Sequence, residues 1–333
     1  MKAPEFWNHK SGRESAPVIR TILSPIGWIY GKFVSKSINN SIEYDSGVPV
    51  ICVGNATLGG TGKTPVTIYI LKSLRRLGLN AVGLTRGYGG QEKGPILLND
   101  KHTSIDVGDE PLLLAEHAPV WVSAGRDDGA KAAVSNGASI IIMDDGHQNQ
   151  LLKKSLSLLV VDAEIGFGNG KIFPAGPLRE NLNESLKRSD AIILMKPNKD
   201  YKPDSFLLRQ LRDKVLIHAY LKPTSILPKG KLYAFSGIGR PNKFFDSLRN
   251  YGGNIIEAIS YSNHYQYKDI DIENLFVLAS EYGASLITTE KDYVRLPKGY
   301  RKGVHKWPVS VHFEDELTLR RLLHPFIKLH RKK

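Results

Sequence analysis

Between residues 48 and 195 the chain carries a series of short, nearly unbroken Val/Ile/Leu runs, at 48–53, 81–85, 120–123, 139–143, 156–161 and 191–195. Runs without apolar/polar alternation are the pattern of parallel strands covered on both faces. Helical periodicity fills some of the gaps, notably 64–77 and 110–117. Strand and helix in alternation predict a doubly wound, mostly parallel α/β sheet. After a Lys- and Pro-rich stretch at 198–230, strand patterns return at 231–235, 254–260 and 284–288, with helical ones at 243–251 and 271–282. These predict a second, smaller α/β domain. The chain is therefore divided into an N-terminal segment (1–44), a core domain (45–222) and a C-terminal domain (223–333).

In the N-terminal segment Val18, Ile22, Ile26, Ile29 and Phe33 recur at steps of four, four, three and four, with Ile19, Leu23, Tyr30 and Val34 beside them. This spacing predicts an amphipathic helix. Arg20, Lys32 and Lys36 sit among these residues, no acid falls between Glu14 and Glu43, and Trp7, Trp28 and Tyr30 add aromatics. Two readings follow. Such a helix lies in the headgroup region of an anionic bilayer, or it packs on the protein's own core, interrupted at Pro25 and Gly27. The uncharged run at 21–31 falls far short of the ~20 residues a span requires, and the first dozen residues hold no apolar stretch of a secretory leader, so neither is expected.

Composition narrows the classes. With 41% hydrophobic and 24% charged residues in 333, the chain has the material for a full core. The single cysteine, Cys52, excludes a disulfide framework or a multi-cysteine metal site and points to a reducing, cytosolic compartment. A net charge of +13 and a pI near 9.5 point to an anionic partner, whether nucleic acid, an acidic membrane surface or a phosphorylated substrate, with a merely solubilising surface charge as the alternative.

The sharpest local signal is Gly59-Gly60-Thr61-Gly62-Lys63-Thr64, placed after the 48–53 strand and before a predicted helix. Glycines let successive N–H groups turn onto phosphate oxygens, and the helix N-terminus adds the positive end of its dipole. In this arrangement Lys63 reaches the β- and γ-phosphates and the Thr64 hydroxyl ligates Mg²⁺. Strict Walker A has glycine where this chain has Thr57. A companion run, Ile140-Ile141-Ile142-Met143-Asp144-Asp145, brings two acids to a strand end, where one holds Mg²⁺ directly or through water. Residues and spacing alone therefore give a Mg²⁺-dependent P-loop enzyme with a basic surface. Other polar loops carry no assignment of their own: Arg86–Gly90, the helix-opening Gly108–Pro111, Gly125–Asp127, Gly176–Glu180 and the one around His264.

Taken in order, these loops resemble the tetraacyldisaccharide 4′-kinase (lipid A 4′-kinase) family. The matching pieces are Val53–Asn55 with Gly59–Pro65, Arg86–Gly90, Gly108–Pro111, Asp144–Gln148, Phe167–Gly170, Pro174–Glu180, Phe235–Arg240 with Phe244-Phe245, and Thr288–Asp292, running over most of the chain. The resemblance implies a P-loop NTPase fold with a smaller second domain. It also implies transfer of the ATP γ-phosphate to the 4′-hydroxyl of an anionic glycolipid, a tetraacylated glucosamine disaccharide 1-phosphate. The family works at the cytoplasmic face of the bacterial inner membrane, held peripherally by an N-terminal helix, which favours the membrane reading of residues 18–34 and leaves no role for nucleic acid.

Carried over by matched position, Asp109 and His264 form the catalytic pair, with Lys63 supporting the transferred phosphate. Thr57, Leu58, Gly59, Gly60, Thr61, Gly62, Lys63 and Thr64 form the ATP site, and Thr64, Glu110 and Asp145 are the candidates for Mg²⁺. Arg86, Arg126, Gln148 and Arg179 are candidates for substrate or phosphate contacts. The chain departs from the family at Asn263, where Asp is frequent, and at Asn149, where His is frequent; whether His147 takes over from the latter is open. The rival reading is a different P-loop ATPase, a switch or metal-insertion chaperone, which has no use for His264.

Overall fold

In the computed structural model, residues 4–9, 11–39 and 43–331 are described. Helix α1 (Pro17–Asn39) precedes β1 (Val50–Gly54), α2 (Lys63–Arg76), β2 (Ala81–Thr85), β3 (Ile96–Leu97), α3 (Ser104–Val107), α4 (Asp109–Ala115), β4 (Val120–Val122), α5 (Arg126–Ser135) and β5 (Ile140–Asp144). Then come β6 (Leu156–Asp162), α6 (Leu182–Lys187), β7 (Ala191–Lys196), α7 (Ser205–Leu211), β8 (Val215–Pro223), β9 (Lys231–Ser236), α8 (Pro241–Asn250) and β10 (Asn254–Ser260). The chain closes with α9 (Asp269–Glu281), β11 (Ala284–Thr289), α10 (Glu290–Tyr293), β12 (Val304–Trp307), β13 (Val309–Phe313) and α11 (Glu316–Arg331).

The unbroken apolar runs become the buried middle of a nine-stranded sheet, ordered β13-β8-β7-β6-β1-β5-β2-β4-β3. Every residue of β1, β2, β5, β6 and β7 is buried. Both faces are covered. Ile51 and Val53 of β1 point into one apolar cluster with Val66, Ile70 and Leu74 of α2, while Val50 and Cys52 point into another with Ala130 and Ala133 of α5. Only β3 against β4 and β13 against β8 are antiparallel, at the two edges. The smaller sheet, β10-β9-β11-β12, is parallel throughout.

Parallel strands end on one edge, and that fixes where loops meet. At the large sheet's carboxyl edge the loops after β1, β2, β4 and β5 converge; at the small sheet's, those after β9, β10 and β11. The two edges face each other.

Several elements differ from the sequence reading. Residues 309–331 do not belong to the smaller domain: β13 pairs with β8, and Val311, Leu319 and Leu323 sit in the same cluster as Ile51. The chain thus returns to the first sheet after β12, a long-range pairing that local periodicity does not reveal. The Lys/Pro-rich stretch hides α7 and the long strand β8, because β8 is only partly buried, mixes His218 and Tyr220 into its apolar residues and ends on Lys222-Pro223. Helix α5 was also not expected, since its buried side is Ala and Gly rather than a stripe of large residues. Helix α1 runs unbroken through Pro25 and Gly27.

The return of α11 to the large domain can be tested on Leu323, which is almost fully buried beside Leu319. Leu323→Ala should destabilise the large domain by about 2–5 kcal/mol, read as a lower thermal midpoint. A variant melting with the wild type would place α11 outside that core.

Candidate active site

The phosphate loop follows β1 at the centre of the large sheet. Gly62 caps α2 with φ at +89°, and Lys63 and Thr64 are the first two residues of that helix. The Lys63 ammonium lies 3.6 Å from Asp145 Oδ1. The Thr61 hydroxyl, inside the loop, is buried without a hydrogen-bond partner, as expected of a group whose partner is a ligand.

The loop's first half is held from outside. Leu58 donates its N–H to the Pro177 carbonyl, Arg179 donates its N–H to Ala56 O and its Nε to Thr57 O, and Thr57 bridges Leu178. Arg179 also donates NH1 to both oxygens of Asp145, at 3.0 and 3.1 Å. Leu178 in turn bridges Ile172, against which α1 lies. A Cβ on Gly27 would stand 2.8 Å from Ile172 O, and one on Gly31 2.7 Å from Ile172 Cδ1, so these glycines allow the helix backbone itself to rest on the 172–173 segment. Trp7 secures the same segment, donating Nε1 to Pro174 O.

Asp144 and Asp145 end β5 beside the phosphate loop. Asp144 is buried and accepts from the Thr67 hydroxyl at 2.8 Å. Burial, with Glu110 nearby, pushes its pKa up to about 7 despite Lys63. Burial works the same way on Asp145, but Lys63 and Arg179 outweigh it and hold that carboxyl at about 2. Asp145 adopts φ +51°, left-handed backbone for a side-chain-bearing residue. Thr64, Glu110, Asp144 and Asp145 thus offer hydroxyl and carboxylate oxygens, the hard donor set that suits Mg²⁺. Among the described residues no three carboxylates converge on one point, so the protein offers the one or two oxygens that Mg²⁺ takes beside substrate phosphates.

The second cluster joins the domains. Asp109 opens α4 in the large domain and is 3% exposed. Its Oδ1 is 3.2 Å from His264 Nδ1, in the loop after β10. Its Oδ2 accepts Nε of Arg295 at 3.0 Å and a second, shorter bond from NH2, with Lys291 Nζ at 3.6 Å. Burial opposes ionisation of this carboxyl, yet His264, Lys291 and Arg295 together hold it well below the usual range. His264 has φ +59° and donates its backbone N–H to Gly237 O. Its ring meets Tyr88 edge-on, with centroids 5.9 Å apart. The Arg86–Gly90 loop comes this close because Gly108 carries no side chain: a Cβ there would stand 2.3 Å from Tyr88 O.

The remaining expected residues divide. Arg126, 4% exposed, donates NH1 to Ser123 O and leaves Nε unpaired; burial lowers its pKa to about 10, with Asp145 and Arg86 close enough to act on it. Arg86 is exposed at the same edge. Gln148 faces inward, its amide donating to Asn55 O and Glu180 Oε1. Glu110 pairs with Lys291 at 2.7 Å. The matter of His147 is settled by position: it is fully buried, bonded to Ser157 and Ser185, and its backbone packs where a Cβ on Gly54 would fall. Asn149 caps locally, accepting from Leu152 N–H. Sequence reasoning missed Lys291 and Arg295, although the Asp292/Arg295 charge pair at a spacing of three was a visible signal.

A family model described as tetraacyldisaccharide-1-P 4′-kinase matches residues 19–328. A tetraacyldisaccharide 4′-kinase of Hyphomonas neptunium is 45% identical over 98% of both chains, and one of Caulobacter vibrioides is 44% identical over 97% of this chain and 98% of its own. The crystal structure of LpxK from Aquifex aeolicus in complex with ATP superposes with a TM-score of 0.75 at 27% identity, covering 93% of this chain and 99% of that one.

The close approach at Gly108 yields a paired test. Gly108→Ala and Gly89→Ala both place a side chain at positive φ, but nothing lies within 4 Å of the second. Gly89→Ala should cost only the backbone strain, about 1 kcal/mol; Gly108→Ala should melt clearly lower and lose turnover by shifting Asp109. Equal melting points would show that the loop does not press on Gly108.

Proposed function

The chain belongs to the tetraacyldisaccharide-1-P 4′-kinase family, and from that premise we propose how its residues carry out the reaction. It is an ATP-dependent lipid kinase of lipid A biosynthesis, moving the γ-phosphoryl group to the 4′-hydroxyl of the tetraacylated disaccharide 1-phosphate. The contact that supports the assignment of roles most directly is Asp109 to His264 at 3.2 Å, formed between the two domains.

In this proposal ionised Asp109 accepts the hydrogen bond of the His264 Nδ1–H, which leaves the unprotonated Nε2 as the base. Nε2 takes the proton of the 4′-hydroxyl as that oxygen attacks in line. Lys63 and the N-terminus of α2 hold the β- and γ-phosphates, and Arg126 and Arg86 face the charge that spreads over the transferred group. Arg179 keeps Asp145 ionised and braces the phosphate loop through Thr57 O. Thr64, Glu110 and Asp145 would hold Mg²⁺, which would supply positive charge to the ATP phosphates. The smaller domain closes the site against water.

We place the enzyme peripherally on the cytoplasmic face of the inner membrane, through α1. No helix among the described residues is long and apolar enough to cross a membrane. The helix rests on the protein through Gly27 and Gly31, and Ile29, two residues from each, lies about 200° round the helix from them. Val18 and Phe33 are 70% exposed and Ile22 66%, so the ridge points away from the core. Lys32 lies over the Trp28 ring at 3.8 Å, a pairing suited to a headgroup layer.

Two measurements test this reading. With Mg·ATP and the detergent-solubilised glycolipid acceptor, the wild type should yield phosphorylated lipid, and Lys63→Ala, Asp109→Ala and His264→Ala should each lose at least about 100-fold in kcat while remaining folded. Wild-type turnover in Asp109→Ala or His264→Ala would remove the pair from the mechanism. Ile22→Asp with Phe33→Asp should lower co-sedimentation with anionic vesicles and leave detergent-assayed kcat unchanged; unaltered binding would move the membrane contact elsewhere.

A further inference from the structure

Arg295 has no place in the reaction scheme, yet it is fully buried and uses every nitrogen of its guanidinium at the junction of the domains. Nε and NH2 donate to Asp109 Oδ2; NH1 donates to Gly237 O at 2.8 Å and to Asp292 Oδ1 at 2.9 Å. The Gly237 carbonyl is also the acceptor of the His264 backbone N–H, at 3.0 Å. One side chain therefore touches the carboxylate of the first member of the pair and the anchoring carbonyl of the second.

The second anchor is Asp292, itself fully buried. Besides Arg295 it accepts from the Gly237 N–H, the Ser236, Thr289 and Tyr267 hydroxyls, at 2.7 to 2.9 Å. Asp292 is thereby immobilised inside the small domain, and it balances the charge of Arg295 before that charge reaches across to Asp109. A planar guanidinium held on one edge presents its other nitrogens in a fixed direction. Filling Asp109 Oδ2 leaves Oδ1 as the oxygen turned to His264. The same hold on Gly237 O steadies a residue at φ +59°, a conformation that persists only where its surroundings impose it.

We propose that Arg295, seated on Asp292, is the positioning residue of the phosphoryl-transfer site: it fixes the Asp109 carboxylate and the His264 backbone in one frame across the domain boundary. The proposal rests on the Asp109–His264 reading. Being shut off from solvent, Arg295 makes no contact with ATP or acceptor, so its contribution is confined to kcat. Misplacing a catalytic group by about 1 Å costs on the order of 100-fold.

The test is a double-mutant cycle. Arg295→Met should lower kcat about 100-fold and leave the KM for ATP within about two-fold. In a His264→Ala background the same substitution should cost less than about three-fold, because a residue acting through His264 loses its effect once His264 is gone. Arg295→Lys, which keeps a charge opposite Asp292 but not the fork, should recover part of the loss and carries the same cycle if the Met variant does not fold. Nitrogen NMR of the His264 ring should show the Nδ1–H tautomer in the wild type and exchange between tautomers in the variant. Wild-type kcat in the Arg295 variants, or a loss undiminished in the His264→Ala background, overturns the proposal. Wild-type turnover in His264→Ala alone instead overturns the catalytic pair, and so separates the two failures.

Discussion

The Asp109 carboxylate sits on the large domain, but the groups seen to grip it, His264, Lys291 and Arg295, come from the small one. A buried carboxylate without partners would cost several kcal/mol, so the ionised form persists only while the domains are together. Two sheets with separate cores thus depend on one charged contact for an assembled site. Neither domain alone brings the Asp109 carboxylate and the His264 ring together.

The same division of charge repeats along the boundary. Lys291 meets Glu110, Lys306 meets Glu116, and Arg240 and Lys243 meet Asp162 and Glu164, in each case with the cation on the small domain and the acid on the large one. Because each of these cations is matched by an acid, the pairs join the domains without drawing on the net charge of +13. Opposite charges on the two faces favour their contact.

Much of this was legible in the chain. Unbroken apolar runs gave the parallel strands, because burial on both faces leaves little room for polar residues. The phosphate loop was plain because glycine, lysine and threonine answer to a local geometry. Asp109 and His264 were reached through resemblance rather than periodicity, since residues 155 apart announce nothing about their contact. What stayed hidden depended on long-range placement. The Val309–Phe313 strand reads as an extension of its sequence neighbours but pairs with β8. Whether His147 stands in for the family's histidine was open in the sequence, while its ring is buried against Ser157 and Ser185. For Arg295 the sequence offered only the pair with Asp292, because its other partners, Asp109 and Gly237, lie 186 and 58 residues away.

The glycine face of α1 has a mechanical consequence. A helix joined to its protein by a flexible linker samples many orientations, and its grip on a surface says nothing about where the rest of the molecule points. Here the helix backbone bears directly on Ile172, which bridges Leu178, which bridges Thr57 of the phosphate loop. Helix and phosphate loop therefore share one rigid frame. Whatever surface receives the apolar ridge also sets the tilt and height of the catalytic edge above it, so the protein behaves as a mount rather than a tether.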